Sequence, residues 1–319
     1  MIRIAFFGTP TFAKSCLKQL LQAQATAPWK IICVVTQPDK AALRGQKLHA
    51  SPVKALALEE GLLVLQPNSL KKSSEEGPAF LQKLLDLKID LAIVAAYGRI
   101  IPKAMLEALP FGFINVHGSL LPRHRGASPI QQSILQGDSK TGVCIMQLVP
   151  ELDAGAVYSS CETPVSESDT FASLADRLAD LGAALLIKTL PAVIERQTPT
   201  PQALTGITFA PLIDKAEAQI NWNTPAIVIH RQSRAFDPSP GAFSHWNGKR
   251  IRFFSPKPLQ TQTSVSTQPG TVIVTPDALG VHTQDGILYF QEIQLEGKKR
   301  MRFSEAKNGL VFERGTQFN

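Results

Sequence analysis

The first half of the chain alternates short apolar runs with segments whose apolar residues recur at helical spacing. The apolar runs are residues 2–7, 31–35, 62–65, 91–96 and 113–116, and the helical segments include 12–21, 79–87 and 170–189. Strands that alternate with helices are typical of a sheet whose neighbouring strands run parallel. The first half therefore predicts an α/β fold built on a doubly wound, mostly parallel sheet.

The composition changes near residues 191–211, where prolines cluster with Thr and Gln. Such a stretch is typical of a linker that crosses the surface. Short strand-like runs separated by Gly follow it and predict a small β-barrel. We expect a first domain over residues 1–190, a linker over 191–210 and a second domain over 211–319.

The balance of charged and apolar residues limits the class of protein. With 44% hydrophobic and 18% charged residues, the chain has enough apolar material for sizeable cores. It has no run of about 18 apolar residues, so we expect no membrane span. The apolar run at residues 2–7 lacks the layout of a secretory signal, so we expect a cytoplasmic protein. The net charge of +7 suits a polyanionic partner but is weak support by itself.

The cysteines do not form a recognisable metal or disulfide pattern. None lies in a C-x-x-C pair, and none has a His at zinc-like spacing. We therefore predict neither a metal site nor a disulfide, and we place Cys33 and Cys144 in the core because they fall in apolar runs. The four cysteines are Cys16, Cys33, Cys144 and Cys161.

An amide, an imidazole and a carboxylate occur close together in the sequence, with no Ser or Cys nucleophile joined to them by a motif. Asn115 and His117 end a predicted strand, where doubly wound sheets place their active sites. Asn115 can donate to a developing oxyanion, and His117 can handle the proton of an attacking amine. Asp153 can orient the His and favour its charged form. These residues favour the direct transfer of a one-carbon acyl group to an amine.

These residues also resemble a known family. The pattern Asn-x-His-x-Ser-Leu-Leu-Pro before a Leu-Asp-x-Gly resembles the folate-dependent formyltransferases, and within them the methionyl-tRNA formyltransferases. The resemblance covers most of the chain, and further matching segments are residues 7–10, 36–39, 51–54, 96–98 and 234–236. It implies a Rossmann-like formyltransferase domain followed by a C-terminal barrel similar to an OB-fold, which contributes to tRNA binding.

The resemblance also implies the reaction. A formyl group would pass from 10-formyltetrahydrofolate to the α-amine of methionyl initiator tRNA, without a metal and without a covalent enzyme intermediate. Asn115 would stabilise the oxyanion, while His117 and Asp153 would manage the proton. Nothing in the sequence demands more than a monomer.

Two stretches would line the folate according to the resemblance. In the first, the apolar residues pack against the ring systems; in the second, backbone groups meet the pterin. An ordinary capping loop after the strand at 91–96 is the alternative for the second stretch. The first stretch is Ser119, Leu120, Leu121 and Pro122, and the second is Arg99, Ile100 and Ile101.

Residues 37–49 carry the tRNA hypothesis. The stretch contains Lys40, Arg44 and Lys47, with no acidic residue after Asp39. A guanidinium beside a flexible Gly suits contact with phosphate or stacking on an unpaired base, although a solvated basic loop has the same composition. The second basic cluster, residues 298–302, could bind tRNA phosphates or simply form a solubilising turn.

Other functions stay open from the residues alone. A formyltransferase of this fold could act on glycinamide ribonucleotide or on an amino-sugar nucleotide, or water could replace the amine and release formate. A tRNA-binding protein that has lost catalysis is the alternative from another class. We expect His124, between two arginines, to lie on the surface rather than in the catalytic site.

Overall fold

The computed structural model describes residues 1–41, 48–259, 267–306, 310, 312–313 and 315–319. By its contacts the chain divides into two units. The first comprises Met1–Pro129, Thr141–Thr163 and Ala175–Ala210, and the second comprises Ile130–Lys140, Pro164–Leu174 and Pro211–Asn319.

Strands and helices alternate along most of the first 210 residues. In chain order they are β1 (Ile2–Gly8), α1 (Thr11–Ala23), β2 (Trp29–Val35), β3 (Lys40–Ala41), β4 (Leu48–His49), α2 (Pro52–Glu59), β5 (Leu63–Leu65), α3 (Glu76–Asp86), β6 (Leu91–Ala95), α4 (Lys103–Leu106), β7 (Phe113–His117), β8 (Arg125–Gly126), α5 (Pro129–Gln136), β9 (Lys140–Gln147), β10 (Val157–Pro164), α6 (Phe171–Ile194) and β11 (Phe209–Ala210).

The first unit is built on a seven-stranded sheet in the order β10-β9-β7-β6-β1-β2-β5. The pairs β1–β2, β1–β6, β2–β5 and β6–β7 are parallel, whereas β9 runs antiparallel to β7. The central strands are mostly apolar, because helices cover a parallel sheet on both faces. The predicted α/β class is confirmed, and the parallel pairing brings the carboxyl ends of β1, β6 and β7 to one edge.

Close packing fixes the position of β7. Helix α6 approaches it at Gly182, where an added Cβ would lie 2.9 Å from Val116 Cγ1 and 3.2 Å from Val143 Cγ1. Below the same edge Phe7 makes tilted or edge-on ring contacts with Tyr97 and Phe113. Since protein cores are packed as densely as organic crystals, such contacts leave a strand little freedom to shift.

Helix α6 extends beyond the predicted domain limit. It continues past residue 190 to Ile194, with Pro191 inside it. After it, Thr200 pairs with Val157, and β11 pairs in parallel with β8. Residues 200–210, which we call the return segment, are therefore packed on the first unit.

The second unit is an antiparallel sheet with helices. Its elements after residue 210 are a 3₁₀ helix (Lys215–Ala218), α7 (Ala226–Ala235), β12 (Phe243–Trp246), β13 (Lys249–Pro256), β14 (Val272–Val274), β15 (Leu279–His282), β16 (Ile287–Leu295), β17 (Met301–Arg302) and α8 (Phe303–Ala306). The strands follow the order β12-β13-β16-β15-β14, and β17 pairs with β16.

The last residues of the chain connect the two edges of this sheet. Phe318 N–H donates to Gly270 O at 3.0 Å beside β14, and Asn319 N–H donates to His245 O at 3.3 Å on β12. Phe318 is buried against the rings of Trp222 and Phe253. The sheet therefore curls around an aromatic core, as the predicted barrel requires.

None of the helices in the described ranges has the length and apolar character needed to cross a membrane. Cys33 and Cys144 are buried in the core as predicted. Cys16 is also buried, and all four cysteines carry free thiols.

Candidate active site

Asn115 lies in the middle of β7, where it pairs with Val94 on β6 and with Met146 on β9. Its side chain is half-buried, and the amide has no hydrogen-bond partner within the described part of the chain. A carboxamide held by a buried strand and left unbonded can donate to an oxygen that gains negative charge.

His117 ends the same strand and is 5% exposed. Its Nε2 lies 3.0 Å from the carbonyl oxygen of His124. A carbonyl oxygen only accepts hydrogen bonds, so this contact places a proton on Nε2. The other ring nitrogen, Nδ1, lies 3.7 Å from Asp153 Oδ2. The ring is therefore held between a backbone carbonyl and a carboxylate.

Asp153 follows a tight loop and has a left-handed backbone, with φ 45°. Its Oδ2 accepts a hydrogen bond of 2.8 Å from Gly126 N–H. Asn115 and His117 are two residues apart on one strand, so their side chains share a face of the sheet. The structure thus brings together two of the three predicted catalytic residues directly, and places the third on the same strand.

The first predicted folate stretch forms a loop after β7. Ser119 is fully buried, and its hydroxyl donates to Arg123 O at 2.6 Å. Leu120 packs against the backbone of Gly142, where an added Cβ would lie 2.5 Å from Leu120 Cδ2. Leu121 and Pro122 are half-buried. Ser119 therefore shapes the loop, whereas Leu120, Leu121 and Pro122 are all half-buried and present partly open apolar surface.

The second predicted folate stretch has mixed positions. Arg99 Nη1 donates to the carbonyl oxygens of Pro67 at 2.7 Å and Asn68 at 2.6 Å. Ile101 is 9% exposed and packs in the core, whereas Ile100 is 89% exposed. The side chains of Arg99 and Ile101 thus have structural contacts, as in a capping loop, and Ile100 projects into solvent.

The predicted tRNA loop is described only at its ends. Lys40 begins β3, which pairs with β4, while Arg44 and Lys47 lie outside the described residues. At the base of the loop Lys54 Nζ donates to Asp39 Oδ2 at 2.5 Å and to Gln66 Oε1 at 2.7 Å. The hydrogen bond from Lys54 lowers the pKa of Asp39, which keeps this carboxylate ionised.

The second basic cluster is partly committed to ion pairs. Arg300 Nη1 lies 2.6 Å from Asp237 Oδ1, and its Nη2 lies 2.6 Å from Glu292 Oε2. The guanidinium also stacks over the ring of Phe254, 4.2 Å from the centroid. Arg300 therefore holds the second unit together, which favours a structural role for this member of the cluster.

Several residues around His117 were missed by the sequence reasoning. The prediction that His124 lies on the surface is wrong, because it is 3% exposed and its carbonyl contacts His117. Its N–H donates to Thr208 Oγ1 at 2.9 Å in the return segment. Gln202, in the same segment, bonds the backbone of Asp153. The Pro- and Thr-rich composition of that segment resembles an ordinary linker, so it gave no local signal.

Across the described ranges, no group of His, Cys, Asp or Glu residues has the arrangement to hold a metal ion. Comparison with known proteins identifies the family. Residues 2–190 match the family model described as formyl transferase, and residues 212–311 match the model for the formyl transferase C-terminal domain. A protein of Alcanivorax borkumensis named methionyl-tRNA formyltransferase is 42% identical over an alignment of 315 residues that covers 97% of this chain and 91% of that protein. The chain belongs to the methionyl-tRNA formyltransferase family.

Another member of the methionyl-tRNA formyltransferase family, from Paraburkholderia xenovorans, is 41% identical over 99% of this chain and 97% of its own length. Among solved structures, an N-formyltransferase of Helicobacter canadensis, crystallised with folinic acid and dTDP-3-aminofucose, gives a TM-score of 0.65 at 16% identity. The match covers 94% of this chain and all of that one, and at this identity it shows the shared fold. As a member of the methionyl-tRNA formyltransferase family, the chain is a formyl-transferring enzyme.

Proposed function

We propose that this enzyme transfers the formyl group of 10-formyltetrahydrofolate to the α-amine of methionyl initiator tRNA, which gives N-formylmethionyl-tRNA for translation initiation. The observation that carries the proposal is the amide of Asn115, which has no hydrogen-bond partner among the described residues, on the strand that ends in His117, with Asp153 beside the ring. The names of the relatives, at about 40% identity over nearly the whole chain, supply the acceptor.

Asn115 carries the electrostatic part of the reaction. As the amine attacks the formyl carbon, the formyl oxygen gains negative charge, and the Asn115 amide donates to it. A donor that is already held in place needs no reorganisation when this charge develops. The C–N bond to the amine forms, the bond to the folate N10 breaks, and N10 takes up a proton.

His117 and Asp153 carry the proton part. In the arrangement observed, Nε2 already holds a proton against His124 O, so a second proton taken up by the ring resides on Nδ1. Nδ1 faces Asp153 Oδ2 at 3.7 Å, where the carboxylate stabilises the charge on the ring. The pair can therefore accept the proton of the amine, directly or through a water, and return it to the leaving nitrogen.

The donor would bind along the loops at the carboxyl ends of β6 and β7. Leu121 and Pro122 offer apolar surface to the ring systems, and the backbone around Ile100 offers polar groups to the pterin. Ser119, Leu120, Arg99 and Ile101 support these loops through the contacts described above. Ile100 is 89% exposed, so an apolar part of the donor that packs on it would remove this side chain from water.

The tRNA would be held by basic residues of both predicted domains. Lys40, Arg44 and Lys47 would contact the acceptor end, and the domain at 211–319 would contribute further contacts, with catalysis in the domain at 1–190. We also propose that the enzyme is a cytoplasmic monomer. These assignments depend on the family resemblance and on the basic composition of the loop.

One assay tests the function. Labelled 10-formyltetrahydrofolate is offered with methionyl-tRNA, glycinamide ribonucleotide and an amino-sugar nucleotide in separate reactions. We expect label on methionyl-tRNA alone. Label on a small amine would keep the chemistry and overturn the tRNA acceptor, and label released only as formate would indicate a hydrolase.

A further inference from the structure

The return segment lies against the loop that holds His117. Arg125 N–H donates to Thr208 O at 2.9 Å, and His124 N–H donates to Thr208 Oγ1 at 2.9 Å. Strands β8 and β11 pair here in parallel, with Arg125 opposite Phe209 and Gly126 opposite Ala210. The return segment therefore packs against the loop whose His124 carbonyl contacts His117.

Gln202 joins this segment to two loops at once. Its Nε2 donates to Asp153 O at 2.7 Å and to Gly155 O at 2.8 Å. Its Oε1 accepts from Arg125 Nε at 3.1 Å and Nη2 at 2.7 Å. The nitrogen of this half-buried carboxamide therefore donates two hydrogen bonds, and its oxygen accepts two. A cation at the oxygen polarises an amide and strengthens the bonds that its nitrogen donates.

The loop that Gln202 holds needs external support. Asp153 has a left-handed backbone, a conformation that costs energy for a residue with a Cβ and persists only where surrounding contacts impose it. Gly155 approaches the neighbouring strand so closely that an added Cβ would lie 1.8 Å from Gln147 O. The two carbonyls that Gln202 binds belong to these two residues, and so it braces the loop where the backbone is least relaxed.

The other end of the same bridge controls the second contact of Asp153. Arg125 precedes Gly126, whose N–H donates to Asp153 Oδ2 at 2.8 Å. Gln202 therefore connects two loops. One contains Gly126, which donates to the Asp153 carboxylate, and the other contains Asp153 itself. A shift of either loop would move the carboxylate away from His117 Nδ1, which is already 3.7 Å away.

We propose that Gln202 is a positioning residue of the formyl-transfer site, acting with Arg125 to hold the Asp153 carboxylate against His117. The role rests on the proposed function only in that the proton step uses this pair. Gln202 itself contacts neither substrate nor the reacting atoms.

The test compares Gln202→Leu with Gln197→Ala in the full chain. Gln197 lies five residues earlier and is exposed, and among the described residues its side chain bonds only Glu195. We expect Gln202→Leu to lower kcat about 10- to 100-fold, because small misplacements of catalytic groups have effects of this size. KM for the formyl donor should change less than about 3-fold, and Gln197→Ala should match the unaltered enzyme.

A double-mutant cycle separates positioning from general damage. In an Asp153→Asn background, which keeps a carbonyl oxygen for the Gly126 N–H but removes the charge, Gln202→Leu should lower kcat less than about 3-fold. Equal losses in both backgrounds, or no loss in the single variant, would overturn the proposal. If Gln202→Leu does not fold, Gln202→Asn replaces it, because the shorter amide does not span both loops.

Hydrogen exchange gives a readout that needs no acceptor. We expect the amides of Gly126 and of residues 153–156 to exchange faster in Gln202→Leu than in Gln197→Ala, and unchanged exchange would contradict the proposal. If the unaltered enzyme does not formylate methionyl-tRNA, the proposed function fails, while the exchange result still decides whether Gln202 holds Asp153.

Discussion

Asn115 is held in place by its strand, while its half-buried amide is available to a ligand. It is fixed by backbone pairing on both sides, and its side chain has no hydrogen-bond partner among the described residues. An amide that no protein group occupies can donate to a bound carbonyl without first breaking a bond within the protein. The position of Asn115 therefore favours a role in the reaction over a role in holding the fold together.

We predict that Asn115→Ala lowers kcat about 10²- to 10³-fold, the usual effect of removing one oxyanion donor. The KM for the formyl donor should stay within about 3-fold, because the lost interaction strengthens only as charge develops. Steady-state kinetics with methionyl-tRNA measure both. Asn223→Ala, at an exposed position of the second unit, is the control, and an unchanged kcat in Asn115→Ala would exclude the oxyanion role.

His230 on α7 gives the second unit a dependence on pH. Burial, together with the smaller effect of the Arg234 and Arg231 charges, lowers the pKa of His230 to about 4. In the unfolded chain this histidine takes up a proton near pH 6.5, whereas in the folded chain it does so only near pH 4. The contribution to stability is thus complete above pH 6.5 and is lost as the pH falls from 6.5 towards 4.

We predict that His230→Gln flattens this dependence. The free energy of unfolding of the unaltered protein should fall by up to about 3 kcal/mol between pH 7 and pH 4 through this group, and the variant should lose that part of the slope. Urea denaturation followed by circular dichroism at several pH values measures it. His49→Gln, at an exposed position, should keep the full slope; a His230→Gln slope equal to it would refute the assignment.

At the scale of elements, the contact between α6 and β7 determines where the catalytic strand lies. Gly182 faces Val116, which lies between Asn115 and His117 in the sequence. Because β-branched side chains have few rotamers, Val116 has little room to move aside. A change in the helix would therefore reach the side chains of Asn115 and His117 through the strand.

We predict that Gly182→Ala destabilises the protein by about 1–2 kcal/mol, because overpacking outweighs the gain in helix propensity. The single change Val116→Ala should also destabilise, by leaving a cavity. The double variant should be more stable than the sum of the two single effects, since the new methyl group occupies the vacated space. Thermal unfolding of the four proteins decides the matter, and strict additivity would contradict the contact.

The sequence predicted the elements whose signal is local. Strand β6 consists entirely of apolar residues, and β1 and β7 lie on the predicted runs at residues 2–7 and 113–116. The two-residue strands β8 and β11 were not predicted, because so short a pairing leaves no periodicity. The end of α6 was placed too early, since Pro191 is tolerated inside the helix.

The same division applies to the site. Asn115, His117 and Asp153 were found because they lie in two short motifs, and the structure places His117 against Asp153. Gln202 and Thr208 act through backbone groups that are distant in the sequence, and a side chain that bonds a carbonyl requires no particular motif. Their roles are visible only when the loops are seen together.

For the molecule as a whole, the net charge of +7 and the polyanionic acceptor together imply a strong effect of salt. Binding of a nucleic acid by Lys and Arg releases counterions, so its affinity falls steeply as salt rises. The folate donor carries few charges compared with a tRNA, and in the proposed function it binds against apolar loops. The two substrates should therefore respond differently to ionic strength.

We predict that raising KCl from about 50 to about 200 mM increases the KM for methionyl-tRNA at least 10-fold. The KM for 10-formyltetrahydrofolate should change less than about 2-fold over the same range. Initial rates at saturating levels of the other substrate measure each constant. Equal sensitivity of both constants would point to a general effect of salt on the enzyme and against an electrostatic tRNA surface.

The return segment determines where hybrids of two such enzymes can be joined. A hybrid of two relatives joined at residue 191 would inherit Gln202 and Thr208 from the parent of its second domain, although both bond loops of the first unit. A hybrid joined after Ala210 would inherit them with the loops that they hold. The part of the chain that has to be inherited together with the site therefore includes the last turn of α6 and strand β11. Both lie beyond residue 190, where the match to the formyl transferase model ends.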